Sequence, residues 1–332
     1  MDRVAEQILR RRMHGLYLSR PCEDIAQLAH ELLGLHGWFT RNVAFSALIR
    51  GAGLMGWKSA LTKTWLYRGT LHGAVFEDLP LLLGLHAQDP CDWLLGQPQL
   101  QHYAGRVVAL MEDGVYSRAE MRRIFAGELD PYSIERLFSP WGGIFVYLAR
   151  QGRVAFRDIT SRDFDLIDPG PLLSPGEALP ELLRRYFAAY GPATLADAAW
   201  FLGLGKEFRP LLAAQNLDEF VRFEHDGNTY YALDQPGEGG DIPELTLLSG
   251  FDPLIVSYAE RSAVLPREYK SAVILKSGIC LPSIAVHGRV AGLWNLKKGQ
   301  PTLKFFADQP RRIVDQAHAL VEGIRWRTAG II

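Results

Sequence analysis

The chain has 332 residues, of which 48% are hydrophobic and 22% charged; that is the composition of a folded protein of two or three compact units, not of a disordered or fibrous one. Its 36 basic and 37 acidic side chains leave a net charge of −1, which excludes a polycation held on nucleic acid by bulk charge but not a local basic surface. No apolar run approaches the roughly 20 residues that span a bilayer. Residues 1–13, with Arg10, Arg11 and Arg12 together, lack the apolar core of a signal peptide, so a soluble, cytoplasmic protein is expected.

Helical periodicity runs through residues 25–33 and 42–48, a third helix is expected over 58–65, and a strand-like stretch follows at 67–72. The same order returns after residue 99. A helix ends at the turn Asp113-Gly114-Val115-Tyr116, Ser117 and Glu120 form a capping box for the next, a third helix is expected over 141–151, and a strand over 153–157. A third copy follows: a helix over 182–190, the turn Tyr190-Gly191-Pro192-Ala193, and a weaker capping pair, Thr194 with Asp197. A helix over 206–215 then leads to two strands around Asp226-Gly227-Asn228, a strong hairpin signal. Three helices and a hairpin describe a winged helix, a helix-turn-helix variant whose third helix can enter a major groove. Repetition of such a unit predicts a tandem array.

The last quarter changes character. Short β-branched or aromatic runs at 245–250, 273–276, 284–287, 290–296 and 302–306 are separated by Gly and Pro, and a helix over 310–326 closes the chain. The expected fold class is α+β: winged helices at 1–98, 99–172 and 173–240, then a small β-barrel-like unit with a C-terminal helix at 241–332. The net charges of residues 1–80, 81–170, 171–240 and 241–332 are +3, −3, −5 and +4. A polyanion is therefore gripped mainly by the ends of the chain, if at all.

The chemistry-bearing motifs of many enzyme classes are missing. Cys22, Cys91 and Cys280 are too few and scattered for a disulfide framework or zinc cluster, and the nine histidines form no His-Glu-x-x-His pair. There is no Walker loop and no Gly-x-Ser-x-Gly elbow. No metal and no cofactor is expected.

Four ordered motifs carry a resemblance. Thr64-Trp-Leu-Tyr-Arg-Gly-Thr-Leu-His72, with Glu77-Asp78-Leu79 after it, resembles the Arg-Gly-Thr-Leu-His signature of the AlkZ-type winged-helix DNA glycosylases. Tyr186 to Asp197, followed by Trp200, resembles their middle motif. Leu248-Ser-Gly-Phe-Asp-Pro-Leu254 with Arg261, and His287-Gly-Arg-Val-Ala-Gly-Leu-Trp294, resemble their C-terminal motifs. The resemblance implies a C-shaped molecule with a concave channel for duplex DNA, alkylated or cross-linked, and hydrolysis of the N-glycosidic bond of a damaged purine. It also implies a catalytic Gln-x-Gln or Gln-x-Asp pair just before the Arg-Gly-Thr-Leu-His signature. Here that segment reads Leu33-Gly-Leu-His36-Gly-Trp38-Phe39.

A neutral imidazole at His36 offers one acceptor nitrogen and an unperturbed pKa of about 6.5, suited to a base. An indole at Trp38 offers only an N–H and cannot hold the attacking water; packing or base stacking suits it better. Two readings of His36 stand: a variant catalytic group, or a residue retained for packing. His86-Ala87-Gln88-Asp89-Pro90 imitates the catalytic motif but lies on the wrong side of the signature, and a helix-terminating Asp-Pro turn explains it.

Candidate DNA contacts, besides Trp38, are Arg41 and Asn42 at a helix start, Arg68 and His72 in the signature, Trp141 at the start of a recognition helix, and Lys297 and Lys298 at a hairpin tip. Asp252 and Arg261 are expected to form a structural ion pair. A glycosylase is the leading reading. Its rivals are a non-catalytic DNA-binding or regulatory member that keeps the fold, and a winged-helix scaffold that binds protein only.

Overall fold

The computed structural model describes residues 2–89, 91, 93–233 and 240–328. The chain divides into two compact units: residues 1–57 with 180–332 form one, and residues 58–179 the other. The first unit is thus assembled from both ends of the chain.

The first unit opens with helix Arg3–Gly15, whose N-cap Asp2 accepts the Val4 and Ala5 amides. Its last residue is glycine because a Cβ at Gly15 would stand 2.3 Å from the Ala189 carbonyl oxygen. Helices Ile25–Glu31 and Thr40–Ile49 follow. After residue 180 come the end of helix Pro175–Tyr190, helix Leu195–Leu202, a 3-10 turn Lys206–Phe208 running into helix Arg209–Ala213, and the hairpin Val221–His225 with Asn228–Ala232. The weaker of the two expected capping boxes is complete: Thr194 Oγ1 accepts the Asp197 amide and Asp197 Oδ2 accepts the Thr194 amide, each at 3.0 Å.

The C-terminal strands form one antiparallel sheet in the order Gln300–Phe305, Arg289–Lys297, Ser283–Val286, Leu245–Leu248. Helix Arg311–Thr328 lays Ile313, Ala317, Val321 and Ile324, a single helical stripe, against Leu245, Leu247, Ile284 and Trp294 of the sheet and Phe45 and Leu48 of helix Thr40–Ile49. One expected strand is absent: Lys270–Val273 is a helical turn, and the β-branched pair Val273-Ile274 straddles its end, leaving a single bridge from Ile274 to Cys280.

In the second unit the strands run Leu71–Ala74, Thr62–Trp65, Val154–Phe156, Phe164–Leu166, all antiparallel. The helix expected over 58–65 is therefore only Trp57–Ala60, and the rest is strand. Thr62, Thr64 and Trp65 favour a pleated surface, and pairing with residues 71–74 outweighs the helical pattern. Helices Leu79–Leu83, Gln97–Glu112, Arg118–Phe125, Pro131–Leu137 and Ile144–Arg150 also lie in this unit, which ends within helix Pro175–Tyr190. Ser117 caps helix Arg118–Phe125 through the Glu120 amide at 3.1 Å. Its core is aromatic: Phe145 stacks on Phe164 at 3.9 Å, with Phe138, Phe125, Phe156 and Trp65 around them.

The helix expected from Trp141 begins instead at Ile144. Gly142 and Gly143 take φ of 133° and 58°, outside the helical region, and a Cβ at Gly143 would fall 2.0 Å from the Leu137 carbonyl oxygen. Trp141 stands before that turn and is 70% exposed.

Candidate functional site

His36 is placed by the way helix Ile25–Glu31 ends. The Gly34 amide reaches back to the Ala29 carbonyl at 2.7 Å and the Leu33 amide to His30, with Leu33 and Gly34 at positive φ of 56° and 99°. Tyr190, buried in the middle motif, donates its hydroxyl to the Leu32 carbonyl at 2.7 Å and pins the same turn. The two-residue strand Leu35–His36 then carries the imidazole onto the ring of Phe251, with centroids 3.9 Å apart and planes 4° from parallel. Phe39 lies against the same ring at 6.4 Å.

Phe251 itself is held in the left-handed region, φ 56°, by the turn Ser249-Gly250-Phe251-Asp252. Its amide donates to the Cys280 carbonyl at 3.1 Å. Asp252 is fully buried; it accepts the Ser249 amide and hydroxyl and the Leu254 amide, and meets both terminal nitrogens of Arg50 at 2.9 and 3.1 Å. The expected partner Arg261 is elsewhere: it donates to the Tyr258 carbonyl and lies over the Trp200 ring. Arg50 prevails because it is buried beside Asp252, with its Nε on the Leu16 carbonyl and Nη1 on Ser46. Breaking such a pair leaves a bare buried charge, a loss of about 3–5 kcal/mol.

Asn42, one of the expected phosphate contacts, is 4% exposed and packs on Gly250, where a Cβ would meet its amide nitrogen at 2.7 Å. Helix Thr40–Ile49 and the Arg50 that follows it therefore grip the 249–252 turn at both ends. Residues about 200 positions apart in sequence form one assembly under His36. Trp38 is half-buried and Arg41 exposed, in the first turn of a helix whose N-cap, Phe39, supplies no side-chain cap. Phe251 and Arg50 are site residues that sequence reasoning passes over, and Tyr190 is legible only as a turn residue. The Ser-Gly-Phe-Asp motif was the available signal for Phe251; Arg50 had none.

In the same unit Lys297 and Lys298 are exposed at the end of the hairpin joining Arg289–Lys297 to Gln300–Phe305, with Lys298 and Gly299 at φ of 50° and 73°. In the second unit, Arg68 and Gly69 take φ of 54° and 64° in the turn joining Thr62–Trp65 to Leu71–Ala74, and Arg68 is half-buried. His72 is 4% exposed; burial holds its pKa down at about 4, and its Nδ1 lies 3.0 Å from the Thr70 carbonyl. Asp89 of the imitation motif pairs with Arg150 and caps the Cys91 amide, while Pro90 lies outside the described residues. Among the described residues no group of three or more His, Cys, Asp or Glu is arranged to hold a metal ion, and no helix is long and apolar enough to cross a membrane.

A family model for AlkZ-like DNA glycosylases matches residues 58–323. The chain belongs to the AlkZ-like DNA glycosylase family. An interstrand DNA cross-link repair glycosylase of Streptomyces sahachiroi is 27% identical to it over 280 residues, covering 76% of this chain and 75% of that protein. The solved structure of Streptomyces sahachiroi DNA glycosylase AlkZ matches with a TM-score of 0.81 at 25% identity, over 97% of this chain and 96% of that one. The family match begins at residue 58 and so does not include His36 or Trp38.

Proposed function

We propose that this member of the AlkZ-like family hydrolyses the N-glycosidic bond of an alkylated or cross-linked purine in duplex DNA, with His36 as the base. The observation that carries the reading is the stack of His36 on Phe251, which fixes the plane of the imidazole. Alkylation makes the purine a cationic leaving group, so the protein's task is to place a water and shelter an oxocarbenium-like sugar. As the C1′–N bond breaks, its electron pair leaves with the base. The water oxygen bonds C1′, and a ring nitrogen of His36 takes the water's proton. Trp38 holds the sugar or base by its apolar face.

Arg41 beside the uncapped helix start, the Lys297–Lys298 tip, Arg68 and Trp141 are the proposed DNA contacts. Asn42 and His72, both buried, act by shaping the backbone beneath those contacts. The three helix-and-hairpin groups serve as tandem winged helices over 1–98, 99–172 and 173–240, with 241–332 as a sheet-based fourth part, in a cytoplasmic protein. The element order of 175–232 supports this assignment most directly.

The test is release of free base from methylated or mustard-cross-linked DNA. His36→Ala is expected to lower activity about 10²- to 10⁴-fold. Full activity in His36→Ala removes the assignment. A second reading, a DNA-binding member without chemistry, is favoured by Trp38 at a position where the family carries an amide or carboxylate. An inactive natural protein that gains base release as His36→Gln with Trp38→Gln establishes it.

A further inference from the structure

Within the first unit a cleft of about 320 Å³ opens between the N-terminal helix, the start of helix Leu195–Leu202, the hairpin turn at Asp226 and residues 259–263. Its volume is that of a small-ligand pocket. Its floor is Arg12, only 6% exposed. The guanidinium lies over the Tyr258 ring at 3.9 Å and its Nε donates to the Pro192 carbonyl at 2.8 Å, so its plane is fixed. Its Nη2 is 3.7 Å from Asp197 Oδ2, an ion pair but beyond hydrogen-bonding distance. Asp197 is already held by the Thr194 amide on Oδ2 and the Ala259 amide on Oδ1. A buried, rigid guanidinium, hydrogen-bonded through Nε and ion-paired at long range through Nη2, therefore lines a cleft large enough for a ligand.

The rest of the wall narrows the ligand's chemistry. Asp197, Asp226 and Glu260 outnumber Arg12, and His225 lies beside Asp226 and Asp2. A free anion is disfavoured there. A neutral planar heterocycle with an acceptor edge and a donor edge is favoured. Arginine matches the O6 and N7 acceptors of guanine in bidentate fashion. The carboxylate of Glu260, which engages the Ser262 amide through Oε1, is an acceptor of the kind guanine's N–H edge needs.

We propose that this cleft binds a guanine-type nucleobase. The proposal is independent of the glycosylase reading, since O6 and N7 are both free only in an unalkylated guanine edge, and its test involves no turnover. 9-Methylguanine, 9-methyladenine and inorganic phosphate are titrated separately into the full chain, with calorimetry and ligand-observed NMR as readouts. Guanine is expected to bind at least tenfold more tightly than adenine, with phosphate weaker still. Arg12→Lys, which keeps the charge and loses the fork, is expected to weaken guanine binding about tenfold or more. Ala5→Trp fills the cleft with Arg12 intact, and is expected to weaken it similarly with circular dichroism and Tm unchanged.

Absence of 9-methylguanine binding at millimolar concentration, indifference among the three probes, preference for phosphate, or wild-type binding by Ala5→Trp each overturns the proposal. An inactive protein that binds guanine sinks only the glycosylase reading, and an active one that ignores guanine sinks only this.

Discussion

His72 shows how burial turns a signature residue into a source of pH-dependent stability. The unfolded ring takes up a proton below about pH 6.5, whereas burial holds the folded ring neutral down to about 4. Above the unfolded value both states are neutral and stability is unaffected. As pH falls between the two values the unfolded chain binds the proton first and stability is lost. The loss between pH 7 and pH 5 is about 2 kcal/mol by this linkage. Urea unfolding at the two pH values is expected to show that difference in the natural protein and a smaller one in His72→Phe; parallel losses would sink the assignment. The same burial explains why the Arg-Gly-Thr-Leu-His motif is a poor guide to contact. Its Arg and Gly make a turn, and its His faces the interior.

At the scale of elements, three hairpins use one device: Asp226-Gly227, His287-Gly288 and Lys298-Gly299 all place both central residues at positive φ. This is what a two-residue turn matched to strand twist requires. Their surroundings differ. Gly227 and Gly299 have open space where a Cβ would be, whereas a Cβ at Gly288 would come within 2.7 Å of Leu9 on the N-terminal helix. Gly299→Ala is therefore expected to cost only the left-handed backbone penalty, about 1–2 kcal/mol. Gly288→Ala is expected to add a packing penalty of roughly 1–3 kcal/mol. Chemical denaturation of the two variants checks the order; an equal loss would mean Leu9 moves aside freely.

For the whole molecule, the charge pattern decides how DNA is held. Net charge is near zero, so affinity must come from local cations rather than a general field. Replacing Lys297 and Lys298 together by alanine is expected to weaken duplex binding. It should also make the slope of log K against log salt shallower by roughly 1 for each true phosphate contact. Titrations between 50 and 200 mM salt, on the order of the range where such slopes are read, are the measurement. An unchanged slope would take this hairpin off the interface.

The hairpin at Asp226-Gly227, the tip at Lys297 and Lys298, the Ser117 and Thr194 caps and the family resemblance were legible in the sequence, because each rests on residues within a few positions of one another. The failures have the same cause in reverse. Residues 58–65 alternate in a way that either state tolerates, and only pairing with 71–74 made Thr62–Trp65 a strand. Trp141 carries helical neighbours, but Leu137 leaves no room for a Cβ at Gly143 and delays the helix to Ile144. His36 was visible as a departure at a known place. That its ring lies on Phe251, that Asp252 pairs with Arg50 rather than Arg261, and that Asn42 packs inward against Gly250 were decided by tertiary structure alone. Local sequence sets turns, caps and periodicity because their energies are local. The partner of a buried charge or ring depends on which distant segments share a core, and only the folded chain specifies that.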